Sequence, residues 1–105
     1  MIIDPDTLDN RGRYKLVIGS VLPRPIAWVS TMDAAGRLNL APFSYFTAVC
    51  PTPLTLLFCP GVHADGRKKD TWANIEQVPE FVINITNEDT AEQMSTRGPG
   101  ARGQL

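Results

Sequence analysis

Residues Arg24 to Phe58 read RPIAWVSTMDAAGRLNLAPFSYFTAVCPTPLTLLF, and the fold turns on how that stretch divides into strands. Ile26 to Thr31 is rich in β-branched and aromatic side chains, which suit a pleated, half-buried surface, and predicts a strand. Asp33-Ala34-Ala35-Gly36 carries turn chemistry, with Gly36 suited to a positive φ in a hairpin. Arg37 to Ala41 is then the return strand, and Pro42, lacking an N–H, is expected to stop it. Phe43 to Val49 is a third strand by composition, ended by Pro51-Thr52-Pro53. Leu54 to Cys59 is almost wholly apolar and predicts a strand buried on both faces.

On the N-terminal side, Asp4-Pro5-Asp6 reads as an entry turn. Tyr14, Val17, Ile18 and Val21 recur at helical spacing within 11–22 and predict a short amphipathic helix ending near Gly19. Pro23-Arg24-Pro25 cannot continue it. On the C-terminal side, Pro60-Gly61 opens a polar loop that runs through Lys69. Asp70 and Thr71 are candidate N-caps for a helix over 72–78, which Pro79 closes. Phe81 to Thr86 is a further strand with Asn84 out of pattern, and Asn87 to Met94 a second capped helix. Residues 97–105 have neither periodicity nor apolar content and read as a tail outside the domain. The chain is therefore expected to be mostly β with short helices, as an antiparallel barrel or α+β sheet in one domain.

The whole sequence is 105 residues long, enough for one small domain. A hydrophobic fraction of 43% with 20% charged residues fits a globular chain rather than a disordered one. A net charge of −1 provides no global field for nucleic acid or anionic membrane. Cys50 and Cys59 lack the spacing of a zinc site or a disulfide framework and read as reduced thiols. The acidic N-terminus reads against a secretory signal, and no apolar run approaches the ~18 residues of a membrane span. A cytoplasmic location is expected.

Three features could carry chemistry. Arg67-Lys68-Lys69 stands directly before a helix N-terminus, whose N–H groups and partial positive charge suit a phosphate; a solvated basic loop accounts for it equally simply. Asn39 to Ser44 leaves backbone groups free at the end of a strand, beside Phe43, Tyr45, Phe46 and Trp28. A flat heteroaromatic ligand could use that rim, although a strand kink with core aromatics looks the same in sequence. Ser30 and Thr31 offer two hydroxyls. The lone histidine, His63, lies in a polar loop and reads as solvated; Trp72 and Ile75 read as core. No acid–base pair, metal cluster or nucleophilic triad can be assembled, so an enzyme built this way would rely on a bound cofactor.

Four blocks, Arg24–Thr31, Asn39–Phe46, Lys69–Ile75 and Glu80–Ile85, resemble in order and spacing the flavin reductase-like, FMN-binding split-barrel family. The resemblance extends over about residues 12 to 95. It implies a homodimeric split β-barrel that binds FMN and takes electrons from NADH or NADPH, passing them to free flavin, an oxygenase or another acceptor. By the same resemblance, Asn39, Ala41, Pro42, Phe43 and Ser44 would line the isoalloxazine ring and ribityl chain. Ser30 and Thr31 would reach the ribityl or phosphate end, Lys69, Asp70 and Thr71 would hold the phosphate, and Asn74 would lie near the pocket. No catalytic residue or metal is implied.

The family's domains are longer and continue with strands that complete the barrel, so an N-terminal part of such a domain is expected. Two alternatives accompany that reading. One is a non-enzymatic flavin-binding or dimerisation module; the other is a barrel of the pyridoxamine phosphate oxidase type.

Overall fold

Alternation along two strands decides the centre of the structure. In β1 (Ala27–Met32) and β2 (Leu38–Phe43), every second residue is buried. The antiparallel register sets Ala27 beside Phe43, Val29 beside Ala41 and Thr31 beside Asn39, so all six share one face. The turn between the strands is built as the sequence predicts, with Gly36 at φ 83°. There the Asp33 carboxylate accepts from the Ala35 and Arg37 amides, both at 2.9 Å. A third strand, β5 (Val82–Ile85), pairs antiparallel with the other edge of β1 and completes a sheet of order β2-β1-β5. The computed structural model describes residues 1–96; the tail expected at 97–105 lies outside them.

Pro42 does not end β2. It pairs with Trp28 inside the strand, on a sheet edge where a missing N–H costs little. The strand expected from Phe43 consequently starts later: Ser44 and Tyr45 form a bend, and β3 runs Phe46–Pro51. It pairs with β4 (Leu54–Phe58) in a separate two-stranded ribbon, whose register shifts between Ala48 and Cys50.

The burial expected of β4 on both faces is corrected by the structure. Leu54, Leu56 and Leu57 are 81%, 44% and 49% exposed. An apolar run predicts a strand that needs cover, but it does not supply the cover. Among the described residues, β4 is tied to the larger sheet mainly through rings. Phe58 stands 5.5 Å from Phe43 and 5.1 Å from Phe81, centroid to centroid. The Cys59 amide adds a hydrogen bond to the Tyr45 carbonyl at 2.9 Å.

Among the described residues there are three α-helices, α1 (Asn10–Ser20), α2 (Asp70–Gln77) and α3 (Glu88–Thr96), and a 3-10 turn at Pro5–Thr7. The α1 helix is N-capped by Asp9 and buries none of its residues, with Tyr14 and Val17 exposed. The predicted N-caps of α2 shift by one or two positions. Lys69 is the cap residue, without a side-chain cap bond, while Asp70 and Thr71 are already helical. Trp72 and Ile75, read as core, are half-buried. At the end of the described chain, Asn87 and Thr90 cap α3 reciprocally, each side chain accepting from the other's amide at 3.1 Å.

The two sheets do not close into a barrel among the described residues. No helix there is long and apolar enough to cross a membrane.

Candidate functional site

The α2 helix lies on the face that carries Val29, Thr31, Asn39 and Ala41, and polar groups hold it there. Thr31, Asn39, Thr71 and Asn74 are only 4%, 5%, 1% and 6% exposed. A buried polar group without a partner is costly, and these satisfy one another. Asn39 Nδ2 donates to Thr71 Oγ1 at 3.2 Å, and Asn74 Nδ2 donates to Thr31 Oγ1 at 3.1 Å. Thr71 and Asn74 are three apart, on one side of the helix, so the first turn of α2 is stitched to β2 and the next turn to β1.

That seam fixes the N-terminal end of α2 over β2. Asn39, Ala41, Phe43, Lys69, Asp70 and Thr71 line a small nook there. The three consecutive cations before the helix are not equivalent. Arg67 is engaged by Asp65 at 2.6 Å, and Lys68 by Glu76 while also lying over the Trp72 ring. Hydrogen bonding from the Arg67 backbone and side chain holds the Asp65 carboxyl below its usual range, and the Lys68 hydrogen bond does the same for Glu76. Lys69 has no carboxylate partner among the described residues; its Nζ lies 5.9 Å from the Phe43 ring centre, at the nook. One of the three positive charges is thus left without a carboxylate partner among the described residues.

The structure separates the other sequence-predicted residues from this nook. Pro42 points to the opposite face of β2 with its partner Trp28. Ser30 lies on the far face of β1, where Asn84 Nδ2 reaches both its hydroxyl, at 3.4 Å, and the Trp28 carbonyl, at 2.9 Å. That contact accounts for the polar residue out of pattern in β5. Ser44 occupies the bend after β2 and accepts from Arg24 Nε at 3.4 Å. Arg24 was missed by motif reasoning. The available cue was its place between two prolines at a helix exit, where a long cation can turn back onto the last carbonyls.

Residues 18–101 match the flavin reductase like domain. The chain belongs to that family. Among curated relatives, an uncharacterised protein of Aquifex aeolicus is 44% identical over 95 residues, covering 90% of this chain and 46% of the relative. One of Halalkalibacterium halodurans is 39% identical over the same shares of the two chains.

Solved structures agree. Nitrilotriacetate monooxygenase component B from Bacillus cereus superposes with a TM-score of 0.84 at 34% identity, covering 92% of this chain and 49% of that one. The 2-nitrobenzoate 2-nitroreductase NbaA of Pseudomonas fluorescens gives a TM-score of 0.76 at 35% identity, covering 93% and 47%. A split-barrel flavin reductase-type protein of Shewanella frigidimarina shares the fold at a TM-score of 0.67. The flavin reductase-like chain therefore spans about half the length of the proteins it matches.

Proposed function

We propose that this chain carries the FMN-binding part of an NAD(P)H-dependent flavin reductase or flavoredoxin-like electron carrier. The observation that supports this most directly is the nook at the start of α2, where Lys69 makes no ion pair with a described residue, although Asp70 also lines the nook. Its donor set suits a phosphate group: one lysine cation, the Thr71 position and a helix N-terminus with no side-chain cap from Lys69. Asn39, Ala41 and Phe43 line the same nook and are almost fully buried, so a flat ring would meet only their outer edge.

Hydride acceptance and onward electron transfer are chemistry that a bound flavin supplies. The chain's own residues would bind and orient. Lys69 would neutralise the phosphate, Phe43 would keep water from one wall, and the Thr31–Asn74 and Asn39–Thr71 bonds would hold the helix in place. Asp70 belongs to the phosphate end of this reading. Ser30, Pro42 and Ser44 would touch the ligand only from beyond the nook. We also propose a homodimer in the cytoplasm and, by analogy with the monooxygenase component, an oxygenase or other acceptor for the electrons.

Titration of FMN with the purified chain tests the reading. Saturable quenching of flavin fluorescence is expected, and Lys69→Met should weaken binding by about ten- to a hundredfold, the worth of one charge-assisted contact. A colourless protein that leaves FMN fluorescence unchanged would refute flavin binding. The open sheets favour a second reading, flavin binding without turnover. Absence of NADH or NADPH oxidation by an FMN-loaded protein would select it.

A further inference from the structure

We infer that the groove between the exit of α1 and the bend after β2 is a separate binding site, for a small planar carboxylate with an apolar or aromatic body. It uses none of the Lys69–Thr71 residues, shares only Ser44 with the flavin reading, and stands whether or not the chain binds FMN. At its centre is Arg24, half-buried and the only charged residue among the described residues that line the groove. Nη1 donates to the Ile18 and Val21 carbonyls at 3.2 and 2.9 Å, and Nε donates to Ser44 Oγ at 3.4 Å. The guanidinium lies 5.6 Å from the centre of the Tyr45 ring. These contacts fix its plane. Nη2 makes no hydrogen bond to a described residue.

Three other arginines each stand beside a carboxylate. Arg13 pairs with Asp6, Arg37 with Asp33 and Arg67 with Asp65. Arg24 has no carboxylate within 4.0 Å among the described residues. Capping the negative end of α1 accounts for Nη1 and for part of the charge; it leaves Nη2 without an acceptor among the described residues.

The surroundings select the ligand class. The groove is about 390 Å³, the scale of a small-molecule pocket, and its walls include Val17, Val21, Tyr45, Phe46 and Leu57. Those walls suit a ring or a branched chain rather than a sugar. One pre-positioned guanidinium matches the two oxygens of a carboxylate. A phosphate dianion fits less well, because one guanidinium offsets only one of its two charges and the negative end of α1 opposes the second.

Protein-observed NMR of the purified chain, titrated separately with benzoate, benzamide and inorganic phosphate, tests this. Benzoate should shift the amides of Ser44, Tyr45, Phe46 and Thr47 saturably, and bind about tenfold or more tightly than neutral benzamide. Phosphate should neither shift these amides nor displace benzoate. Arg24→Met should abolish the preference for benzoate while the β1–β2 amide pattern stays native, and Arg24→Lys should retain part of it. If Arg24→Met does not fold, the comparison of benzoate with benzamide on the native chain and on Arg24→Lys decides. No benzoate shift, equal binding of acid and amide, displacement by phosphate, or unchanged binding in a folded Arg24→Met would each overturn the assignment.

Discussion

Asp33 holds the β1–β2 turn almost alone. Its carboxylate accepts from two amides and from Arg37 Nε at 2.7 Å, with the residue 6% exposed. The Arg37 backbone bond, then its side chain, keep the carboxyl below the ordinary aspartate range although burial pushes the other way. A folded-state pKa below the unfolded value means that the stabilisation is present above the unfolded pKa and lost as pH falls through the folded one. Thermal unfolding should therefore show the native chain losing more midpoint between about pH 6 and about pH 3 than Asp33→Asn does. Parallel pH profiles would show that the turn does not depend on this charge. The turn was legible because Asp and Gly each have one conformational use there. The sorting of Arg67, Lys68 and Lys69 was not, because Lys68 finds its partner, Glu76, eight residues further on, across a helix that sequence alone does not orient.

At the scale of elements, the placement of α2 depends on a polar seam rather than on an apolar stripe. Sequence period marks where a helix runs, yet Thr71 and Asn74 look like surface residues until their partners Thr31 and Asn39 are known. Thr31→Val leaves Asn74 Nδ2 buried without an acceptor and should cost about 1–3 kcal/mol in denaturant unfolding. Asn74→Leu should cost a similar amount by stranding the Thr31 hydroxyl. The double variant Thr31→Val/Asn74→Leu should cost less than the two added together, since no polar atom is left unpaired. Strict additivity would mean that the 3.1 Å bond contributes nothing of its own. Strand positions were legible from β-branched and aromatic content. The extension of β2 through Pro42 was not, because a proline's cost depends on whether its strand lies at an edge, and edge position is a property of the assembled sheet.

For the molecule as a whole, the decisive quantity is apolar surface left in water. Leu54, Leu56 and Leu57 on β4 and Val49 on β3 are exposed. Beside them Phe58, Trp72, Ile75 and Phe81 line a wide apolar groove of about 720 Å³. A contiguous surface of this kind, on a ribbon whose outer edges carry no further strand among the described residues, favours association with another polypeptide surface. The same run of leucines led the sequence to predict a strand buried on both faces; the requirement for cover was legible, the identity of the cover was not. A second copy of the chain is the occupant that the proposed homodimer supplies. Sedimentation velocity over a wide concentration range should then show reversible self-association, and Leu56→Lys/Leu57→Lys should shift it towards monomer by about tenfold or more in dissociation constant, since each leucine can contribute roughly 1.5–3 kcal/mol when fully buried. Because both positions are already exposed, the double variant should keep the thermal midpoint of the monomer. A native chain that sediments as a monomer at every concentration, or a double variant that associates unchanged, would remove β4 from the interface.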